Sequence, residues 1–238
     1  MNKQTNTPIL LRCDNTSVEA GWVILPNIDL LYADMIYEDT DFSWIDLYWS
    51  KLNFGGVFIV QTDWHTVFEL GVKLKSLPDA RFVNHLVWKN EWGNHPKDRF
   101  HQCFDDIIIV SRGTHFNFHN DTIQVPKATM SKGLNPSGRQ TKTATAFIND
   151  ICLSTVSKER IKKPDGHLVQ WQKPVALLRR LFSPFVNPGY MIVDPFMGTA
   201  TSCVVAMELN CNYVGIENDP DVYQLAYNRI FNKDGEEV

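Results

Sequence analysis

The sequence predicts an α/β protein built on a doubly wound, mostly parallel sheet. Three observations lead there. Short apolar runs alternate with amphipathic stretches at strand–helix spacing. Most of those runs stop at or just before an acidic residue: Asp14, Asp34, Asp63, Asp194 and Glu217 all fall at or just past expected strand ends. Near the C-terminus, Gly198 and Glu217 stand about 20 positions apart inside one strand–helix–strand unit, the spacing that sets a carboxylate against a ribose diol.

The elements follow in order. Pro8 to Arg12 is a first strand, ended by Cys13-Asp14-Asn15, and Ile28 to Asp34 is a second. Asp41 to Asn53 carries Phe42, Ile45, Leu47, Tyr48, Trp49 and Leu52 at mostly helical spacing, with Gly55-Gly56 expected to end the helix. Val57 to Val60 is a third strand, followed by a helix from Trp64 to Ser76 with Pro78 just beyond. Phe82 to Trp88 and Asp106 to Val110 are the strands that complete this half. Gln172 to Phe182 is a helix with Pro174 in its first turn and Leu177, Leu178 and Leu181 on one face. Met191 to Val193 is a short strand, stopped by Asp194-Pro195. Gly198 allows a turn, Thr199 to Leu209 is a helix, and Tyr213 to Glu217 is the next strand. Asn218-Asp219-Pro220 starts a last helix that ends near Phe231.

Ligands of such sheets sit at the carboxyl ends of the strands. The turn after Asp194 has one glycine, whereas a pyrophosphate-binding turn uses three to bring backbone N–H groups onto the phosphates. An acidic, glycine-poor turn suits S-adenosylmethionine, which has a ribose and an adenine, no phosphate, and a positive sulfonium.

The chain has 238 residues, 44% of them hydrophobic, and a formal net charge of −4, enough for one sizeable core. No apolar run spans a membrane and the start, Met1 to Asn6, is polar, so a cytoplasmic protein with no membrane partner is expected. The five cysteines form no C-x-x-C and read as reduced packing residues. His115 and His119 share an i, i+4 spacing, but their flanks read as strand or loop, so no metal site is expected. Arg112 to Asp165 holds nine basic and four acidic residues, a balance of +5 that leaves −9 on the rest. A basic insert in an acidic body is suited to a phosphate backbone. Lys127, Lys132, Arg139 and Lys142 are its candidate nucleic-acid contacts.

Asp194-Pro-Phe-Met-Gly-Thr-Ala-Thr201, Gly215-Ile-Glu217, Tyr223 and Arg229 together resemble the cofactor region of the amino-group DNA methyltransferases. Gln172-Lys-Pro-Val-Ala-Leu-Leu-Arg-Arg180 resembles the helix just upstream, and Ile28 to Tyr37 the strand with the catalytic tetrapeptide Asp-Pro-Pro-Tyr. Leu86 to Lys89 and Arg99 to Gly113 resemble the strands that follow. The catalytic motif comes first and the cofactor motif last, which is the family's permuted beta arrangement.

The resemblance implies a Rossmann-like S-adenosylmethionine-dependent methyltransferase sheet. Residues 1–112 would be its catalytic half, 113–165 a basic target-recognition segment and 166–238 its cofactor half. It implies methyl transfer to the N6 of a flipped-out adenine in double-stranded DNA, since aspartate is usual in the tetrapeptide of adenine enzymes and serine in many cytosine N4 enzymes. Asp34 would accept a hydrogen bond from the amine through its carboxylate, Met35 through its carbonyl, and Tyr37 would stack on the base. Asp14, Lys173, Asp194, Phe196, Gly198, Thr199 and Glu217 would hold the cofactor, Glu217 at the ribose hydroxyls. Met35 and Ile36 replace both prolines, which removes a restraint on the loop. The alternatives are an N4-cytosine enzyme, or a catalytically degenerate relative that binds nucleic acid or supports an active partner. A second copy of the chain is a further candidate partner.

Overall fold

The computed structural model describes residues 8–18, 26–90, 96–127, 139–154 and 157–232. The first half contains β1 (Ile9–Arg12), β2 (Ile28–Asp34), α1 (Ser43–Lys51), β3 (Leu52–Thr62), α2 (Val67–Ser76), β4 (Ala80–Lys89) and β5 (Phe104–Arg112). Then come β6 (Gln124–Pro126), β7 (Thr141–Thr143), β8 (Phe147–Ile148), α3 (Val175–Phe182), β9 (Met191–Asp194), α4 (Thr201–Glu208), β10 (Asn212–Glu217) and α5 (Pro220–Phe231).

Eight strands form one sheet in the order β1-β10-β9-β2-β3-β5-β4-β8, and β6 and β7 form a separate antiparallel pair. The sheet is the expected doubly wound one, with one exception. β5 runs antiparallel to both β3 and β4. The described residues between β4 and β5 contain no crossover helix, so the chain returns in the opposite sense, whereas helix-linked strands stay parallel.

Both sheet faces are covered. In β2, Leu30 and Tyr32 pack on one side with α3, α4 and α5, while Leu31 and Ala33 pack on the other with α1 and α2. That two-sided burial explains the unbroken apolar run of the strand. Asp29 fits because its carboxylate accepts from Asn53 Nδ2 and from Met191 N, both at 2.8 Å, tying β2 to its two neighbours.

Several boundaries differ from expectation: α2 begins at Val67 rather than Trp64, and β3, β4 and β5 run longer than their apolar cores. Three further differences have a specific physical reason. Gly55-Gly56 does not end α1; the helix stops at Lys51 and β3 runs through the glycines. Gly55 has φ +84°, and a Cβ there would meet His115 O at 2.8 Å, so the pair serves an irregular pairing between β2 and β3. α3 begins at Val175 rather than Gln172, because Pro174 restrains its predecessor from helical geometry. α4 begins at Thr201 rather than Thr199, because Ala200 is left-handed, with φ +60°. The five cysteines are free thiols, and Cys203 and Cys211 are the buried ones. Among the described residues no helix is long and apolar enough to cross a membrane.

Gly215 is required by close approach. A Cβ on it would lie 2.5 Å from the Tyr213 hydroxyl and 2.6 Å from Met197 Sδ, and both of those side chains are buried. Gly215→Ala is therefore expected to cost about 1–3 kcal/mol, a Tm fall of about 2–12 °C in thermal unfolding. An unchanged Tm would show that the site can relax.

Candidate active site

The chain leaves β9 through α4 toward β10, and leaves β2 through α1 toward β3, in opposite directions across the sheet. The crevice where the winding reverses, at the carboxyl ends of β9 and β2, is where open α/β sheets bind ligands. A cavity of about 720 Å³ opens there. Asp14, Asp34, Asp194 and Glu217 line it, at or just past the ends of the four adjacent strands β1, β2, β9 and β10. Met35, Tyr37, Lys173, Phe196, Gly198 and Thr199 line it as well. Asp63, the fifth acid of the expected rim, does not; its carboxylate lies 2.6 Å from His65 Nδ1.

The turn after β9 is built around Asp194. One carboxylate oxygen accepts from Phe196 N at 2.9 Å and the other from the Ser202 hydroxyl, which also contacts the Tyr213 hydroxyl at 2.7 Å. Burial pushes the Asp194 carboxyl up to about 7. Its oxygens brace the loop, and the cavity receives the surface that they shape. Gly198 takes φ +52° and Ala200 φ +60°, a backbone that the Arg229 guanidinium clamps by bonding Thr199 O and Thr201 Oγ1, both at 2.9 Å. The Phe196 ring packs edge-on against Trp44 at 5.0 Å between centroids. Glu217 accepts from Asp219 N at 2.8 Å, and burial raises its carboxyl. Asp14 accepts from the Thr16 amide and hydroxyl, and those bonds hold it below its ordinary value.

The second wall is a buried polar cluster. Lys173 Nζ lies 2.6 Å from Asp34 Oδ2 and 3.9 Å from Asp105 Oδ2. Asp105 Oδ2 also accepts from Gln61 Nε2 at 2.7 Å and from the Tyr37 hydroxyl at 2.8 Å, and Asp105 Oδ1 from Asn90 Nδ2 at 2.7 Å. The residue before Pro174, outside α3, is thus what delivers the ammonium to Asp34. Its neighbour Gln172 is pinned by bonds to Glu159 O at 2.6 Å and from Ile161 N at 3.0 Å. Burial pushes the Asp34 carboxyl up to about 6, against the opposing pull of the ammonium. Asp34 Oδ1 is buried and has no hydrogen-bond partner among the described residues. Met35 extends the β2–β3 ladder, donating its N–H to Gln61 O at 3.0 Å, and its side chain is buried; Ile36 is 64% exposed. Trp171, with φ +62°, lines the cavity with its ring edge-on to Tyr37 at 5.1 Å.

Sequence reasoning missed Asp105, Gln61, Asn90 and Trp171. Asp105 had a readable signal: two adjacent acids open an apolar run, and a carboxylate in a buried strand needs donors.

Of the basic candidates, Lys127, Arg139 and Lys142 lie on or beside the β6–β7 pair, where Lys127 N bonds Gln140 O at 3.0 Å; Lys132 lies outside the described residues. Lys142 and Arg139 are exposed. The later part of the same segment enters the core: Ile148, Ile151 and Leu153 are buried, Trp88 Nε1 bonds Ile151 O at 2.8 Å, and Arg180 pairs with Asp150 at 2.6 Å.

Residues 32–228 match the family model for N6/N4 enzymes, described as DNA methylase. The chain is 24% identical to the Type II methyltransferase M.HinfI of Haemophilus influenzae, over 87% of this chain and 64% of that protein. It is 25% identical to the Type II methyltransferase M1.MboII of Moraxella bovis, over 90% and 89%. It thus spans about two thirds of the length of the first relative and nearly all of the second. Among solved structures, the M1.HpyAVI complex with S-adenosylmethionine superposes with a TM-score of 0.68 at 18% identity, covering 94% of this chain and 100% of that one. The cytosine-N4-specific PvuII DNA methyltransferase superposes at 0.69 and 13% identity, covering 98% and 89%. The match over most of the chain, on the fold and cavity described above, settles its kinship: the chain belongs to the N6/N4 DNA methylase family, whose cofactor is S-adenosylmethionine.

Proposed function

We propose that the chain transfers a methyl group to the exocyclic N6 of an adenine extruded from double-stranded DNA. The observation that carries this reading is the unpartnered, buried Oδ1 of Asp34 on the cavity wall. A buried acceptor left unmet costs about 1–3 kcal/mol, a cost that an amine donor from a substrate removes.

The cavity fits S-adenosylmethionine by the chemistry of its donor set. Six carboxylates line it, Asp39 and Asp41 beside the four at the strand ends, and Lys173, the cation on its wall, is engaged by Asp34. A cationic ligand with a vicinal diol suits such a lining, and a pyrophosphate does not. Glu217 would take the ribose hydroxyls. Asp14, Phe196, Gly198 and Thr199 would shape the rest of the subsite, with Asp194 holding their loop. When bound, the cofactor supplies an electrophilic methyl group on a sulfonium.

The amine is a poor nucleophile because its lone pair is delocalised into the ring. Asp34 Oδ1 and the Met35 carbonyl would each accept one N–H, which favours a pyramidal nitrogen and fixes its direction of attack. Tyr37 would stack on the base, which must leave the duplex at a cost of a few kcal/mol. Lys173, read from sequence as a cofactor contact, is better suited to keeping Asp34 ionised. The segment 113–165, with Lys127, Lys132, Arg139 and Lys142, would meet the DNA backbone and read the target.

The test is transfer of labelled methyl from S-adenosylmethionine to unmethylated duplex DNA, followed by nucleoside analysis. Label in N6-methyladenine is expected. Label in N4-methylcytosine would overturn the adenine assignment and keep the reaction class, since the same acceptors serve either amine. No label, with cofactor binding intact, would assign the chain to an inactive or partner-dependent role.

A further inference from the structure

Asp105 has no part in the chemistry just derived, yet it touches two of the groups that do, Tyr37 and Lys173. It is the second residue of β5, 2% exposed. Its carboxylate accepts hydrogen bonds from Gln61, Asn90 and Tyr37, and stands 3.9 Å from the Lys173 ammonium that lies 2.6 Å from Asp34. One cation therefore sits between two carboxylates, Asp34 partly buried and Asp105 fully so, and the second also grips the Tyr37 hydroxyl. Asp34 and Tyr37 are carried by the end of β2 and its loop, and Lys173 by the segment before α3. Asp105 is carried by a strand paired on both edges, so it is the fixed point of the cluster.

We propose that Asp105 is a positioning residue of this site, sharing the Lys173 ammonium with Asp34 and holding Tyr37 through its hydroxyl, so that Asp34 Oδ1 and the Tyr37 ring are presented together to one extruded base. The part played by the base rests on the function proposed above; the sharing of the ammonium does not.

The charged and titratable groups that act on Asp34 are Lys173, Asp105 on β5, Asp194 on β9, and Tyr32 and Tyr37 from its own strand and loop. Sharing makes the two neighbours act with opposite sign. Removing Lys173 deletes the attraction that favours the Asp34 carboxylate. Removing the Asp105 charge deletes a like charge and leaves the ammonium to Asp34 alone.

The experiment is a pH titration of the Asp34 carboxyl by carbon NMR in the full chain without ligands, the resonance being identified by its loss in Asp34→Asn. The wild-type midpoint is expected at about 6. In Lys173→Met it should rise by about one to three pH units, and in Asp105→Asn it should fall. A merely structural Asp105 would not move the two variants in opposite directions; midpoints that stay put or move together overturn the proposal. Should Asp105→Asn fail to fold, Asp105→Ser is titrated in its place, and a midpoint that does not fall there is fatal. A companion assay reads methyl transfer. Asp105→Asn should lower kcat by about 10²-fold while the acid limb of its profile moves down, since Tyr37 and Lys173 lose their anchor. Opposite titration shifts with no transfer by the wild-type chain would sink the function and leave the sharing standing. Transfer by the wild-type chain with unshifted midpoints would sink the sharing.

Discussion

Asp34→Ala is expected to lower methyl transfer by about 10²–10³-fold at saturating cofactor while the chain still binds S-adenosylmethionine, the loss usual for one preorganised hydrogen-bonding group. The substitution removes the acceptor at Oδ1, which no donor among the described residues occupies. It does not strand a buried cation, because Lys173 retains Asp105 at 3.9 Å. The fold should therefore survive, and the deficit should appear in kcat. Calorimetric titration with the cofactor and single-turnover transfer on duplex DNA separate the two quantities. Transfer at the wild-type rate would refute the role given to Asp34.

Met35→Pro is expected to destabilise the chain, although proline is what the related tetrapeptide carries at this position. The Met35 N–H donates to Gln61 O at 3.0 Å and its side chain is 3% exposed, in the cluster that also holds Trp44 and Val60. Proline removes the donor and most of the packing volume, for an expected loss of about 2–4 kcal/mol, or about 4–16 °C in Tm. Ile36→Pro, at a position 64% exposed, should cost far less. Equal losses at the two positions would mean that burial is not what holds the loop. Where proline would restrain the chain by its ring, this chain does so by one more rung of the β-ladder and a buried thioether, and Met35 keeps the carbonyl that the proposed chemistry needs.

Much of the frame was legible in the sequence because local pattern governs it. β2 spans the residues that its apolar run predicts, Ile28 to Asp34, and ten residues chosen for catalysis or cofactor line one cavity. The errors fall where a distant neighbour decides. Gly55 belongs to a strand because His115 O lies where a Cβ would be, and nothing near Gly55 announces it. The Thr199–Thr201 backbone is clamped by Arg229, from the last helix. Asp105 meets Tyr37 across 68 positions and Gln61 across 44, and such pairings leave no periodicity to read. Lys173 is the instructive middle case: Pro174 after it forecasts an extended residue, but only the assembled sheet shows which carboxylate the ammonium reaches.

The pairing of β2 with β9 also sets a schedule for the newborn chain. Asp29 and Met191 are bonded across 162 positions, and Leu30 lies beside Ile192 at the middle of the sheet. At about 5–20 residues per second, a ribosome needs roughly 8–30 s between the two strands. Throughout that interval one edge of β2 waits without its partner, and the apolar side destined for α3 to α5 is bare, an open template for association with another chain. Completion of the sheet must await synthesis of β9 and β10, so products truncated before them should aggregate, and holding factors that shield the early strands should raise the yield of folded protein.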